Sequence, residues 1–324
     1  MFSSDTKNVL IRVTLFIFGV YVISTVLCTV LYGFLRNIQI GQYGVLNSIN
    51  KGKINADMII SGSSIGQSHY NTRIITEITG QRCFNISVNG SGLGVQLPVI
   101  QWYLEKNNKP KYLLQNIDLF SGDVDPYIYQ PFKYLPYLKN ERLYSGLLRI
   151  NPNLWLQRYT AIADLVYLNK DFQRNLILDL LWSLKSDKDY LIDGHIPNNR
   201  SWMGDKKEEE YLKEHSQGIR YVLSSAYKEY LNELINDCKK RDIQLILVVS
   251  PVKESLKKIV INRNSILDYY RDVSQQNGLW YFDLSDCGLS EKKEHWVNLT
   301  HMKSTGADQY SKIAAIEIKK RILQ

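Results

Sequence analysis

Asp57-Met58-Ile59-Ile60-Ser61-Gly62-Ser63-Ser64-Ile65-Gly66-Gln67 is a short apolar run that breaks abruptly at glycine and serine. Met58-Ile59-Ile60 reads as a buried strand bounded by turn residues. Just beyond it, Ile74, Ile75 and Ile78 share one helical face, with Asn71 placed to cap that helix and Gly80 to stop it. The rhythm then repeats. Cys83–Val88 reads as a second strand ending at Asn89-Gly90-Ser91-Gly92, and a helix is expected over about 95–106 with Pro98 in its first turn. Tyr112–Phe120, Ile243–Val249 and Leu279–Leu284 read as further strands. Amphipathic helices precede the last two (about 220–240 and 265–276), and a final helix is expected over Ser304–Ile322. Strands alternating with helices imply right-handed crossovers and a mainly parallel sheet, so the expected fold is α/β over residues 57–324.

The interval from about 122 to 218 breaks this rhythm. It holds no clear strand and is rich in aromatics, among them Tyr127, Tyr129, Trp155, Trp182 and Trp202. It reads as a mostly helical insertion after the third strand, a cap beside the C-terminal edge of the sheet. Such aromatics suit sugar stacking, but at this density they more often fill a helical core.

Upstream of the domain, Val13–Leu35 carries neither charge nor proline. As a helix its 23 residues reach about 34 Å, enough for a bilayer core of about 30 Å. It is too long for a signal-peptide core, Leu31-Tyr32-Gly33-Phe34-Leu35 offers no small-x-small cleavage site, and Leu27 before Cys28 argues against a lipoprotein signal. The expected layout is a cytoplasmic tail over 1–12, a single-pass anchor over 13–35 and a linker over 36–56. Lys7, Arg12 and the α-amino group before the span, against a flank that beyond Arg36 is neutral until Lys51, place the domain outside the cytoplasm by the positive-inside bias.

The net charge of +8 is not clustered, since Lys206-Lys207-Glu208-Glu209-Glu210 is mixed in sign, and nucleic acid is not an expected partner. Cys83, Cys238 and Cys287 lack CxxC spacing, which argues against a zinc site, although one disulfide among them stays open.

Chemistry in open parallel sheets gathers at the C-terminal ends of strands. Ser64 stands at the first such end, beside a helix start whose backbone N–H groups favour developing negative charge. His301, in Asn298-Leu299-Thr300-His301 ahead of Gly306-Ala307 and the last helix, could remove its proton. His69, His195, His215 and His295 are the alternatives.

In order and strand placement, Gly62-Ser63-Ser64, Asn89-Gly90, Gln115-Asn116-Ile117-Asp118 and Asn298-x-x-His301 resemble the SGNH/GDSL hydrolase superfamily. The resemblance covers about 55–120 and 240–324, and its closest look is to membrane-anchored bacterial members linked to O-acylation of polysaccharides. It implies a three-layer, flavodoxin-like sheet and an extracytoplasmic serine esterase or O-acyltransferase, acting on acyl, above all acetyl, esters of an envelope or exported polysaccharide. It further implies an inner (plasma) membrane location, no metal or organic cofactor, and room for a partner membrane acyltransferase. Carried over by position, Ser64 is the nucleophile and His301 the base. Ser64 N–H, Gly90 N–H and Asn116 form the oxyanion hole. Two departures stand out. Asn298 occupies the position of the family's aspartate, so that Glu294 or Asp308 substitutes, a Ser–His dyad suffices, or the protein is a non-catalytic glycan-binding or assembly component. Asp118 is a second candidate partner for His301.

Overall fold

A computed structural model describes residues 4–119, 122, 128–160 and 193–324. Tyr127 and Trp182 lie outside the described residues, as do positions 161–192 of the expected insertion.

In chain order the helices and strands are α1 (Ser4–Leu35), α2 (Gly41–Lys51), β1 (Met58–Ser61), α3 (Ser64–His69), α4 (Thr72–Thr79), β2 (Cys83–Asn85), α5 (Leu93–Lys106) and β3 (Tyr112–Ile117). Next come α6 (Glu141–Leu148), α7 (Leu154–Tyr159), α8 (Asp205–Glu214), α9 (Ser225–Lys240), β4 (Gln244–Val249), α10 (Glu254–Ile259), α11 (Arg263–Asn277), β5 (Trp280–Asp283) and α12 (Ser304–Ile322). The five strands form one sheet in the order β2-β1-β3-β4-β5, every pair parallel. This is the flavodoxin-like order, with a switch point where β1 meets β3.

The two-residue period of the strands sorts their side chains into two cores. Ile59, Leu113, Leu245 and Leu247 pack with α2, α5, α9 and α11 on one face. Met58, Ile60, Leu114, Ile246 and Val248 pack with α4 and α12 on the other. Strands covered on both faces must be apolar throughout, which is why their sequence does not alternate.

Several boundaries follow local chemistry. Asn71 caps α4 by accepting the N–H groups of Arg73 and Ile74, and Gly80 ends it with φ 71°. Ser224 caps α9 through Tyr227 N–H, and Gly278 closes α11 with φ 67°. Strand β2 is shorter than expected, although Ile86 N–H and Val88 N–H still donate to Ile60 O and Gly62 O beyond its end, while Asn85 Oδ1 accepts Ser87 N–H.

Three expectations need correction. Residues 36–56 are not a plain linker. They contain α2, whose Tyr43, Val45, Leu46 and Ile49 are buried. Asn47 joins α2 to the end of α1 by donating to the carbonyls of Leu35 and Ile38. Helix α5 starts at Leu93, so Pro98 lies beyond its first turn, seated against Gly146 of α6, where a Cβ would collide with its ring. The described part of the insertion does not build a core of its own. Tyr134, Tyr137, Leu143, Tyr144 and Leu147 join the core containing α5, while Tyr129 and Trp155 stay exposed.

Helix α1 is apolar and long enough to cross a membrane. Its Phe16, Phe18, Ile23 and Val30 are exposed, which water would penalise and lipid would not. All four cysteines are free, and Cys83 and Cys238 are buried as small core residues.

Candidate active site

Ser64 is the first residue of α3, where β1 breaks. The break is tight enough to exclude side chains at two positions. A Cβ on Gly62 would come within 2.9 Å of Asn116 Cβ and 3.1 Å of Gly66 Cα, and one on Gly66 within 2.8 Å of Ser87 Oγ. The two glycines thus let the turn sit directly on β3. Ser63 caps α3 by accepting Ile65 N–H and donates its own hydroxyl to Asp118 Oδ2 at 2.5 Å. Ser63 is buried by these contacts, whereas Ser64 is partly open.

His301 stands at the tip of a closed loop. Trp296 bridges Met302, Val297 N–H donates to His301 O, and Lys303 N–H donates to His295 O. Gly306 allows α12 to start against this loop, since a Cβ there would meet His295 O at 2.6 Å. His301 Nε2 lies 2.8 Å from Ser64 Oγ across 237 residues of sequence. Its Nδ1 lies 3.0 Å from Asn298 Oδ1 and 3.0 Å from Thr300 Oγ1.

The Asn298 amide can face this group in only one way. The backbone N–H groups of Thr300 and His301 both donate to it, at 3.0 and 2.8 Å, and obligate donors need the oxygen. Nδ1 therefore carries the proton that points at Oδ1, which leaves the Nε2 lone pair facing the serine hydroxyl. That is the tautomer a general base requires. Burial, then the positive charge of Arg200, hold the His301 imidazole below its usual 6.5, so it is neutral and ready to accept.

Gly90 has φ 66° and a tyrosine ring, Tyr129, where its Cβ would be. Neither Gly90 N–H nor Ser64 N–H donates to another group among the described residues.

Asn116 is more constrained than the oxyanion reading requires. Its oxygen accepts Tyr70 Oη–H at 2.8 Å and its amide nitrogen donates to Asp118 Oδ1 at 2.6 Å. Asn116 and Asp118 do share a face, but they bind each other behind the serine turn. Asp118 holds Ser63 and Asn116, and Asp308 accepts the Asn71 amide. Glu294 is exposed, and the side-chain oxygens at His301 Nδ1 are those of Asn298 and Thr300.

Among the other histidines, His215 Nδ1 faces Tyr211 O, while His195 and His295 are buried. His69, one turn along α3 from Ser64, is buried with Nε2 3.0 Å from Thr300 O and 3.2 Å from Met302 N. It ties the serine helix to the histidine loop.

Three contributors had no signal in the sequence. Thr300 is a second partner for Nδ1. Arg200 is carried in by the segment 193–203, which pairs through Asp193 O with Asn85 N–H and through Met203 N–H with Val297 O. Lys133 is buried, donates to Asn89 O at 2.7 Å and lies over the rings of Tyr129 and Tyr134. Burial pushes its ammonium down to about 7.

No protein-family model matches the sequence, and no curated protein matches it. Among solved structures, a protein from Streptococcus pneumonia, provisionally described as a platelet activating factor, covers 91% of this chain and 98% of its own. The identity is 12% and the TM-score 0.40. A protein from Bacteroides fragilis, provisionally described as an acylhydrolase, covers 89% and 98% at 9% identity and a TM-score of 0.39. Likeness at this level carries no information about activity.

Proposed function

We propose that the chain is a membrane-anchored serine ester hydrolase or acyltransferase of the SGNH type. The observation that carries this reading is the 2.8 Å contact between Ser64 Oγ and His301 Nε2, with the tautomer set from behind by Asn298. Ser64 Oγ forms a bond to the ester carbonyl carbon while its proton passes to His301 Nε2. The resulting oxyanion is met by the N–H groups of Ser64 and Gly90. Collapse breaks the ester C–O bond, and the leaving alkoxide takes the proton back from His301. The acyl-serine then passes to water or to a sugar hydroxyl, deprotonated by the same imidazole. We place the domain on the extracytoplasmic side of the plasma membrane, where an acylated envelope or exported polysaccharide is the substrate. Lys7 and Arg12, ahead of the apolar stretch of α1, and the exposed Tyr129 beside Gly90 support that choice.

The test is labelling of the purified full chain with a fluorophosphonate, beside Ser64→Ala and His301→Ala. Labelling of the wild type that disappears in Ser64→Ala and falls in His301→Ala is the expected result. A folded wild type that does not label refutes the enzyme and favours a glycan-binding or assembly role, for which the uncharged Asn298 is the specific observation.

A further inference from the structure

The loop after β2 carries Gly90, whose N–H is assigned above to the oxyanion. Three carbonyls of this loop are each held by a side chain. Val88 O accepts the Ser91 hydroxyl at 2.6 Å, Ser91 O accepts the Gln96 amide at 2.8 Å, and Asn89 O accepts Lys133 Nζ at 2.7 Å. The first two donors are neutral and come from the loop itself or from α5. The third is an ammonium brought in across 44 residues of sequence by the short 3₁₀ turn Pro131–Lys133 of the insertion.

Lys133 is only 2% exposed. Burying an ammonium is costly unless strong partners meet it. Its hydrogen-bond partner among the described residues is Asn89 O, and the rings of Tyr129 and Tyr134 lie with their centres 5.4 and 5.2 Å from Nζ. A methionine would fill the same space without that cost, so packing does not account for the cation.

A peptide unit is planar and trans, and its C=O and N–H point in opposite directions. Asn89 O and Gly90 N–H belong to one such unit. Holding the carbonyl on Lys133 therefore fixes the line along which Gly90 N–H points, on the side away from the ammonium. That N–H donates to no other group among the described residues. The restraint matters at this position, because Gly90, with φ 66°, has little of its own to stop the peptide from turning. Tyr129 packs where a Gly90 Cβ would stand, so one ring backs the peptide and covers the ammonium. A cation at the carbonyl also polarises the amide and makes its N–H a stronger donor.

We propose that Lys133 is a positioning residue for the oxyanion hole, holding the Asn89–Gly90 peptide so that Gly90 N–H meets the charge developing on the substrate oxygen. The insertion then completes the active site as well as covering it. The inference rests on the ester reading of Ser64 and His301. Gln42 of α2 supplies a control. Its Oε1 accepts Asn89 N–H at 2.8 Å, and that N–H belongs to the preceding peptide unit. Losing Gln42 loosens the loop but leaves the Asn89 carbonyl held.

The test compares the full chain with Lys133→Met, Lys133→Arg and Gln42→Ala at pH 6.5, below the value of about 7 to which burial pushes the Lys133 ammonium. The readouts are the rate and final extent of fluorophosphonate labelling, kcat and KM for an aryl acetate, and thermal unfolding. Lys133→Met should label to the wild-type extent but at least about tenfold more slowly. Its kcat should fall alike while KM changes less than about threefold, since the oxyanion is absent from the ground state. Lys133→Arg keeps a cationic donor and should recover most of the loss, and Gln42→Ala should stay within about threefold of the wild type. A purely structural lysine would instead lower the melting midpoint and the final extent, leaving the rate per labelled site unchanged. That outcome, or an equal slowing in Gln42→Ala, overturns the inference. Should Lys133→Met not fold, a tenfold slowing in a folded Lys133→Arg overturns it as well. A wild type that does not label refutes the ester reading and this inference together, whereas a labelled wild type matched by Lys133→Met refutes this inference alone.

Discussion

Asn298 Oδ1 faces His301 Nδ1 at 3.0 Å, held in that orientation by two backbone N–H donors of its own loop. An amide in place of a carboxylate ordinarily costs a serine–histidine pair heavily, about 10⁴-fold in the worked serine-protease case, partly because the imidazole adopts the wrong tautomer. Here the amide cannot flip, so the tautomer is retained and only the charge is missing.

Restoring the charge should therefore help, and removing the acceptor should hurt. Asn298→Asp is expected to raise kcat by about 10-fold or more, while Asn298→Ala lowers it by about 10²-fold, within the range of general-base contributions. Steady-state hydrolysis of an aryl acetate checks both. A slower Asn298→Asp enzyme would show that the missing charge is not the deficit.

The acid limb of the rate should report His301. Its imidazole must be neutral to accept the Ser64 proton, and burial with Arg200 depresses its pKa. Activity is thus fully present above 6.5 and falls only as pH drops below that value. Arg200→Gln removes the second cause, so the limb should move toward higher pH with the plateau retained. A kcat/KM profile from pH 4 to 8 measures this, and an unmoved limb would show that Arg200 exerts no field on the imidazole.

His69 should make the fold sensitive to acid. Burial, then the nearby His301, push its pKa down to about 3, whereas the unfolded chain protonates near 6.5. The unfolded state binds the proton first, so stability is fully present above 6.5 and is lost as pH falls toward about 3, by about 1.4 kcal/mol per pH unit. His69→Asn should show a shallower slope of unfolding free energy against pH between 6.5 and 4.5. Equal slopes would place the acid sensitivity elsewhere.

The two adjacent serines should separate by function. Ser63→Ala removes the α3 cap and the hydroxyl held by Asp118, a loss of about 1–2 kcal/mol, and should lower the melting temperature while fluorophosphonate labelling persists. Gly62→Ala, by contrast, drives a Cβ against Asn116 and the backbone of Gly66, so labelling and stability should fall together. Labelling lost in Ser63→Ala at a temperature where the fold is intact would make Ser63 part of the chemistry.

The strand ends and helix caps were readable because their causes are local. Asn71 and Gly80 act within four residues of the helix they delimit, and Met58-Ile59-Ile60 reads as buried on both faces without knowledge of what covers it. The Ser64–His301 pairing was readable through the resemblance of the motifs, in order and strand placement, to a known family; the residues alone left the other histidines open. Residues 41–51 were misread, because the helix there depends on Leu46 and Ile49 finding partners far away in the chain, while Tyr43 packs against Leu35 and Ile38.

The sequence alone determined the alternation of elements, the apolar span of α1 and the two residues that meet at 2.8 Å. The first two follow from hydropathy period and capping, and the pair from the resemblance of the motifs to a known family. Only the tertiary structure decided between Asp118 and Asn298 as the residue behind His301, set the direction of the Asn298 amide, and brought Arg200 and Lys133 to the site. Each of these depends on groups distant in sequence or on how one loop closes on itself. Hydrogen-bond donors and charges carry no sequence period, so their partners emerge only when the chain has folded.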